Sequence, residues 1–301
     1  MPFTKVLVAN RGEIAIRIIR ALKDLGILSV SVYSEVDKLS RHVRYADEAY
    51  LLGPAPANLS YLNIDKIIEA ALSSGADAIH PGYGFLSENS IFAEKCVEAG
   101  LTFIGPSADA IKLLGDKARA RELARTADIP VIPGSSDFTE VEEAFLLAED
   151  LTYPLAVKAS YGGGGRGIRF VQSKAELESA VLIAQKEAVA AFGNGTLYLE
   201  SQLQNVKHIE IQIIADHFGN IVPLGERECS IQRRNQKLIE ECPSAAITPD
   251  LRRTLSRAAV RLAREANYTN VGTVEFLLTP EKKFYFLEMN TRLQVEHPVT
   301  E

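Results

Sequence analysis

Residues 272–301 bring acids, amides, an arginine and a histidine close together in the sequence. "GTVEFLL", the turn "TPEKK" and "KFYFLEMN" run directly into "TRLQVEHPVTE". Both flanks of the turn read as strands. If the hairpin is symmetric about a centre between residues 281 and 282, Glu275 faces Glu288 and Thr273 faces Asn290. Side chains alternate along a strand, so Glu288, Asn290 and Arg292 share a face if the chain stays extended. Two carboxylates directly opposite each other repel, and a cation between them relieves the conflict. Oxygen ligands beside an amide suit Mg²⁺ or Mn²⁺, which in nucleotide enzymes bridge phosphates. The plain alternative is an outer sheet face carrying two solvated glutamates, and the register decides between the two.

Two further clusters could handle anions. "YGGGGRGIRF" holds four consecutive glycines, Gly162 to Gly165, followed by Arg166 and Gly167. Ordering glycines costs the most entropy, and close approach of backbone N–H groups to a phosphate is one reason to accept that cost. A loose hairpin tip is the other reading. The run is not a Walker loop, because G-x-x-x-x-G-K-[ST] is absent. Lys158, a few residues upstream, could reach a bound phosphate. "RECSIQRRNQKLIEE" concentrates Arg227, Arg233, Arg234 and Lys237 in a chain of net charge −6. That suits capture of a small anion. A solvated loop paired with Glu226, Glu228, Glu240 and Glu241 is the alternative. Together, a glycine flap, a lysine, a two-carboxylate metal site and an anion-binding segment equip an enzyme to activate a small anion with Mg-ATP.

The elements that must position these residues change character along the chain. Val6–Val8 reads as a buried strand, and Ile14, Ala15, Ile18, Ile19 and Leu22 form one helical stripe ended by Gly26. Val30 and Val32 mark a second strand, and "GADAIHPG" and "LTFIGPS" continue the series. This βαβ pattern predicts a parallel sheet covered by helices. A dinucleotide-binding version would need G-x-G-x-x-G after the first strand, and "ANRGEI" has one glycine. "IPVIPGSS" reads as a linker or domain edge. Beyond it, "PLAVKAS", "GIRFV", "TLYLES", "HIEIQIIAD" and "NIVPLGE" read as strands, residues 174–192 as a helix, and Thr248 as the cap of a helix starting at Pro249. Strands and helices without strict alternation predict an α+β region.

Composition limits the partners. The 301 residues are 47% hydrophobic, enough for two or three cored domains. The acidic balance argues against nucleic acid or an anionic membrane as a partner. No apolar run approaches the roughly 20 residues of a spanning helix, and "MPFTKVLVAN" lacks the pattern of a signal peptide. The three cysteines, Cys96, Cys229 and Cys242, lack metal-ligand spacing, so a cytoplasmic protein is expected.

From residue 4 to the last residue the chain resembles the biotin carboxylase family, whose catalytic part is an ATP-grasp fold. The resemblance is carried by "VANRGEIA", "ADEAY", "IHPGYGFLSEN", "FIGP", "GDKA", "KAS" with "GGGGRG", "ERECSIQRRNQK" and "EMNTRLQVEHPVTE". It implies an α/β protein: a Rossmann-like N-terminal (pre-ATP-grasp) domain over residues 1–115, then an incomplete ATP-grasp α+β domain over 116–301, with a glycine-flap subdomain at about 131–203. Lys117 and Lys158 would contact ATP phosphates, and Gly164, Gly165 and Arg166 would lie in the flap. Glu200 and Leu203 would line the adenine site. His208 would sit near the ribose and phosphates, with Gln232 and Asn235 also at the nucleotide. Glu275, Glu288 and Asn290 would hold Mg²⁺ or Mn²⁺. Lys237, Arg292, Gln294 and Val295 would bind bicarbonate, and Glu296 would be the base that deprotonates it. Carboxyphosphate would form and release CO₂ beside the ureido nitrogen of biotin. Implied partners are a biotin carboxyl carrier protein or domain, a carboxyltransferase subunit and, at full length, a second copy in a homodimer.

Two positions depart from the family pattern. Asn235 stands where many relatives have His, and Ser201 where a Lys is common. The family's domain also continues past "EHPVTE". The expectation is therefore an open edge and an open face on the last hairpin, and a chain that does not carboxylate free biotin. The rivals are another bicarbonate-activating ATP-grasp ligase, such as a carbamoyl-phosphate-type enzyme, and a nucleotide-binding fragment that turns nothing over.

Overall fold

The computed structural model describes residues 3–160, 168–234 and 236–301. Gly164, Gly165, Arg166 and Asn235 of the expected nucleotide site lie outside the described residues.

The first sheet is parallel, in the order β3-β2-β1-β4-β5. Its strands are β1 (Lys5–Val8), β2 (Leu28–Ser34), β3 (Glu48–Gly53), β4 (Ala78–His80) and β5 (Thr102–Phe103). Helices α1 (Gly12–Asp24), α2 (Arg41–Tyr45), α3 (Ile64–Ser74), α4 (Ser90–Glu98) and α5 (Ala108–Gly115) lie along the connections. The stripe Ile14, Ile18, Ile19 and Leu22 packs on Val6 and Val8 on one face of the sheet. Leu7, Val30 and Val32 face the other way, toward residues of α3 and α4. Strands buried on both faces are apolar throughout, as Val6, Leu7 and Val8 are. Gly26, at φ +71°, follows the last turn of α1, a left-handed position that glycine fills at no steric cost.

Helix α6 (Lys117–Thr126) leads into the second part of the chain, where α7 (Val141–Leu147), β6 (Leu155–Ala159), β7 (Ile168–Val171), α8 (Leu177–Phe192) and β8 (Leu197–Ser201) follow. They form a three-stranded antiparallel sheet, β7-β6-β8, with its apolar face on α7 and α8. The larger antiparallel sheet runs β11-β10-β9-β12-β13. Its strands are β9 (Lys207–Ala215), β10 (Ile221–Arg233), β11 (Gln236–Glu241), β12 (Asn270–Leu278) and β13 (Phe284–Asn290). Helix α9 (Pro249–Glu265) precedes β12, and α10 (His297–Thr300) closes the chain. Thr248 caps α9, its hydroxyl oxygen accepting from Leu251 N at 3.3 Å.

Three sequence expectations are corrected. "IPVIPGSS" is not a free linker: Val131 bridges to Phe286, and Gly134 bridges to Glu200. The stretch therefore ties the two antiparallel sheets together. "RECSIQRRNQKLIEE" is not a loop but the β10–β11 hairpin. The face of the last hairpin is not open either. Val274, Phe276, Phe286 and Met289 are buried in one core with residues of α5, α6 and α9, because these helices turn their apolar sides onto it. β13 is an edge strand, but Pro130 O takes the Phe286 N–H at 2.7 Å.

Candidate active site

β9 shows how the large sheet makes a polar face inside the protein. Ile209, Ile211 and Ile213 point into the core beneath α9, and His208, Glu210 and Gln212 point the other way. Glu210 and Gln212 are buried like the isoleucines, so both faces of the middle of this strand, residues 209–213, are dry. A buried carboxylate requires a partner, and β10 and β11 supply two. Arg227 is fully buried; its Nε donates to Glu210, and its Nη1 donates to Gln212 Oε1 at 2.9 Å and Thr300 Oγ1 at 2.6 Å. Lys237 Nζ donates to Glu210, to Glu275 Oε1 at 2.9 Å and to Glu296 Oε1 at 2.6 Å. Burial opposes the charge on Lys237, but Glu275, Glu210 and Glu296 outweigh it and hold its pKa above the ordinary lysine value.

The hairpin pairs Glu275 with Glu288 and Thr273 with Asn290, the register that symmetry about the turn requires. Beyond Glu275 the register slips by one, so that Phe276 pairs with Phe286 and Leu287 bulges. The bulge lets Phe286 and Met289 both enter the core while Glu288 and Asn290 stay on the polar face. Glu275 is only 4% exposed, which excludes the solvated-face alternative. Its Oε1 accepts from Asn290 Nδ2 at 2.7 Å, and its Oε2 lies 2.8 Å from His208 Nε2. Burial would raise the Glu275 carboxyl, yet His208 and Lys237 hold it low. Burial and the facing Glu275 push Glu288 up.

Glu288, Asn290 and Thr291 line a cavity of about 300 Å³ with Glu88 and Lys117. Lys117, in the first turn of α6, also borders a second cavity of about 220 Å³ with Arg121, Ser160 and Tyr198. A divalent cation fits the first site. Glu288 has no hydrogen-bond donor among the described residues, its charge is disfavoured where it stands, and the neighbouring donors are carboxylate and amide oxygens. His208, Glu210 and Glu275 also bring ligand atoms within 4.8 Å of one another. There, however, the Lys237 ammonium already supplies the positive charge.

Three of the residues expected at bicarbonate, Arg292, Gln294 and Val295, follow the end of β13. Arg292 Nη1 donates to Gln294 Oε1 at 2.8 Å and its Nη2 to Asn290 Oδ1 at 3.2 Å. Gln294 Nε2 reaches Glu275 Oε1 at 3.4 Å. The Val295 side chain is exposed, so only its backbone can serve a polar ligand. Gln232 Nε2 lies 3.0 Å from His208 Nδ1. Lys158 and Glu200 sit together on the small sheet as an ion pair, with Arg121 Nη1 3.6 Å from Glu200 Oε1. Leu203 is half-buried just after β8.

Sequence reasoning missed several residues. Arg227 stands in the sequence among the anion-capturing residues, yet it is buried and neutralises Glu210; Arg233 and Arg234 are the exposed members. Two of the four glutamates offered as partners of those arginines pair elsewhere, Glu226 with Arg252 and Glu228 with Lys207. Glu210 and Gln212 carried only one signal, the alternation in "HIEIQI", which a solvated face would give equally. Glu88 stands in "IHPGYGFLSEN", where no local pattern assigns it a role.

A Rossmann-like sheet, a small antiparallel unit and a larger antiparallel sheet enclosing a lysine–carboxylate cleft define the ATP-grasp class. Residues 116–301 match the family model described as carbamoyl-phosphate synthase L chain, ATP binding domain, and residues 2–111 match the biotin carboxylase N-terminal domain. The chain belongs to the biotin carboxylase family. It is 54% identical to the biotin carboxylase of Nostoc sp., with all of this chain aligned to 68% of that protein. A biotin carboxylase β,γ-ATP complex from Campylobacter jejuni superposes with a TM-score of 0.95 at 48% identity, over all of this chain and 68% of that one. The biotin carboxylase domain dimer of Hydrogenobacter thermophilus 2-oxoglutarate carboxylase, in complex with MgADP, ADP and bicarbonate, superposes with a TM-score of 0.93 at 52% identity, over all of this chain and 66% of that one. The chain thus spans about two thirds of the length of these relatives.

Proposed function

We propose that this chain carries the site at which bicarbonate is phosphorylated by ATP for the carboxylation of biotin. The observation that carries the reading is Lys237, whose ammonium joins Glu296 to Glu275 and so links the expected base to the expected metal carboxylates. A boundary between domains 1–115 and 116–301 is supported by family matches over 2–111 and 116–301.

Bicarbonate is held by Lys237, by the Nη groups of Arg292, by Gln294 and by the Val295 backbone. Glu296 keeps Oε1 on Lys237, and its Oε2 has no partner among the described residues. That oxygen takes the bicarbonate proton. The oxyanion then attacks the γ-phosphorus of ATP, the bond to ADP breaks, and carboxyphosphate forms. Lys117 and Lys158 offset charge on the phosphoryl oxygens. Lys158 is shared with Glu200, which with Leu203 lines the adenine site; His208 and Gln232 stand toward the ribose and phosphates. A divalent cation held by Glu275, Glu288 and Asn290 would add positive charge at the same oxygens. Carboxyphosphate yields CO₂ and phosphate, and the CO₂ is taken up by the ureido nitrogen of biotin on a carrier protein or domain. A carboxyltransferase then passes the carboxyl group on, and two copies pair as in the Hydrogenobacter domain dimer.

The test uses a protein as long as the full relatives and measures ADP release with and without bicarbonate, followed by carboxylation of biotin. ADP release that requires bicarbonate, with carboxybiotin formed, is expected. Bicarbonate-dependent release without use of biotin would favour a carbamoyl-phosphate-type ligase. Nucleotide binding with no release would reduce the chain to a non-catalytic fragment.

A further inference from the structure

We infer that Glu88 is a positioning residue: it reaches across from the parallel-sheet unit and fixes the plane of the Arg292 guanidinium. The inference rests on the bicarbonate-binding reading of Arg292. Glu88 lies in the connection between β4 and α4, directly before Asn89, the cap of α4. That is beyond the carboxyl end of a parallel strand, where open α/β sheets place functional groups. Its Oε2 accepts from Arg292 Nε at 2.8 Å. Its Oε1 accepts from the backbone N–H of Thr291 at 3.1 Å and faces Thr291 Oγ1 at 3.4 Å. One carboxylate therefore pins both the chain entering Arg292 and the base of its fork.

A guanidinium is planar, so three fixed corners define its orientation. Nη1 and Nη2 are set by Gln294 and Asn290, residues of the site itself. Nη1 also donates to the Leu293 carbonyl at 3.1 Å, and Nε is set by Glu88, the partner that comes from the parallel-sheet unit. Without it the Nη groups keep their neighbours but the plane can turn about them. Thr291 is buried and Glu88 is exposed, so losing the Glu88 charge disturbs orientation more than packing.

The experiment is Glu88→Gln in the intact protein. The expected result is a rise of about tenfold in KM for bicarbonate, an intermediate share of the cost of misplacing a binding group. KM for ATP should rise less than KM for bicarbonate, because Glu88 lines the cavity of Lys117 and Glu288 but makes its hydrogen bonds to Thr291 and Arg292. In an Arg292→Ala background the same substitution should change nothing further, since the two act as a unit. Independently of turnover, the Arg292 Nε–H, assigned by ¹⁵N NMR through its loss in Arg292→Lys, should exchange slowly in the parent protein and rapidly in Glu88→Gln. Equal effects on both substrates, an undiminished effect without Arg292, or unchanged Nε–H exchange would each overturn the proposal. A parent protein without bicarbonate-dependent ADP release but with the Nε–H behaviour described would sink the functional reading and leave the positioning intact.

Discussion

Individual side chains in the cleft titrate away from their ordinary values, Lys237 and Glu288 upward and Glu275 downward. Glu288 faces Glu275 across the hairpin, and its charge is disfavoured by burial and by that neighbour. Glu288→Gln removes the repulsion, so the metal-free protein should melt no lower than the parent. The same change removes a ligand, and Mg-ATP should bind at least about tenfold more weakly. Titration calorimetry at several Mg²⁺ concentrations checks both, and an unchanged Mg²⁺ dependence would discard the metal assignment. Glu296 lies on the other side of Lys237, which keeps Glu210 and Glu275 as partners when Glu296 is lost. Glu296→Ala should therefore bind nucleotide nearly as the parent does and turn over roughly 10² times more slowly or worse, the scale of a general base. Joint loss of affinity and turnover would make Glu296 a structural residue.

At the level of elements, the turn after β2 depends on one buried carboxylate. Asp37 accepts from Arg11 Nε at 2.8 Å and from the Tyr61 hydroxyl at 2.7 Å, tying the start of α1 to the end of β2. The Arg11 hydrogen bond holds the Asp37 carboxyl well below the usual carboxylate range, against the opposing effect of burial. A depressed folded pKa stabilises above the unfolded value, near about 4. That stability is lost as pH falls from there through the folded value. Asp37→Asn should cost about 2 kcal/mol at neutral pH, a buried network bond plus an unpaired partner, and should flatten the fall of stability below about pH 4. Parallel urea-melt curves for parent and variant across that window would refute the assignment.

Over the whole molecule, protection should follow strand position. β1 lies between β2 and β4, and β12 between β9 and β13, whereas β13 and β11 are edges. Hydrogen exchange should be slow in β1, β2 and β12 and faster in β13 and residues 291–301. Phe286 should stand out as a protected site within β13, because its N–H is bound to Pro130 O. Uniform protection of β12 and β13 would show that the edge is covered by something beyond residues 130–131.

The sequence by itself determined those features that depend on local period and short-range symmetry. The apolar stripe of α1, the Thr248 cap, the parallel order implied by βαβ alternation and the Glu275–Glu288 pairing each follow from spacing alone. Family-specific strings also imply a shared site for Lys237, Arg292, Gln294 and Glu296, and the structure bonds Lys237 to Glu296 and Arg292 to Gln294. Only the tertiary structure decided which polar residues are dry. "HIEIQI" alternates identically whether its polar face meets water or Arg227 and Lys237, and the burial of Glu210 follows from long-range packing. Likewise Arg227 and Arg233 look alike in sequence, yet one neutralises a buried carboxylate and the other faces solvent. Glu88 lies 204 residues from Arg292 in the chain, and no local pattern encodes a hydrogen bond across that separation. It arises because the C-terminal ends of the parallel strands pack against the last hairpin.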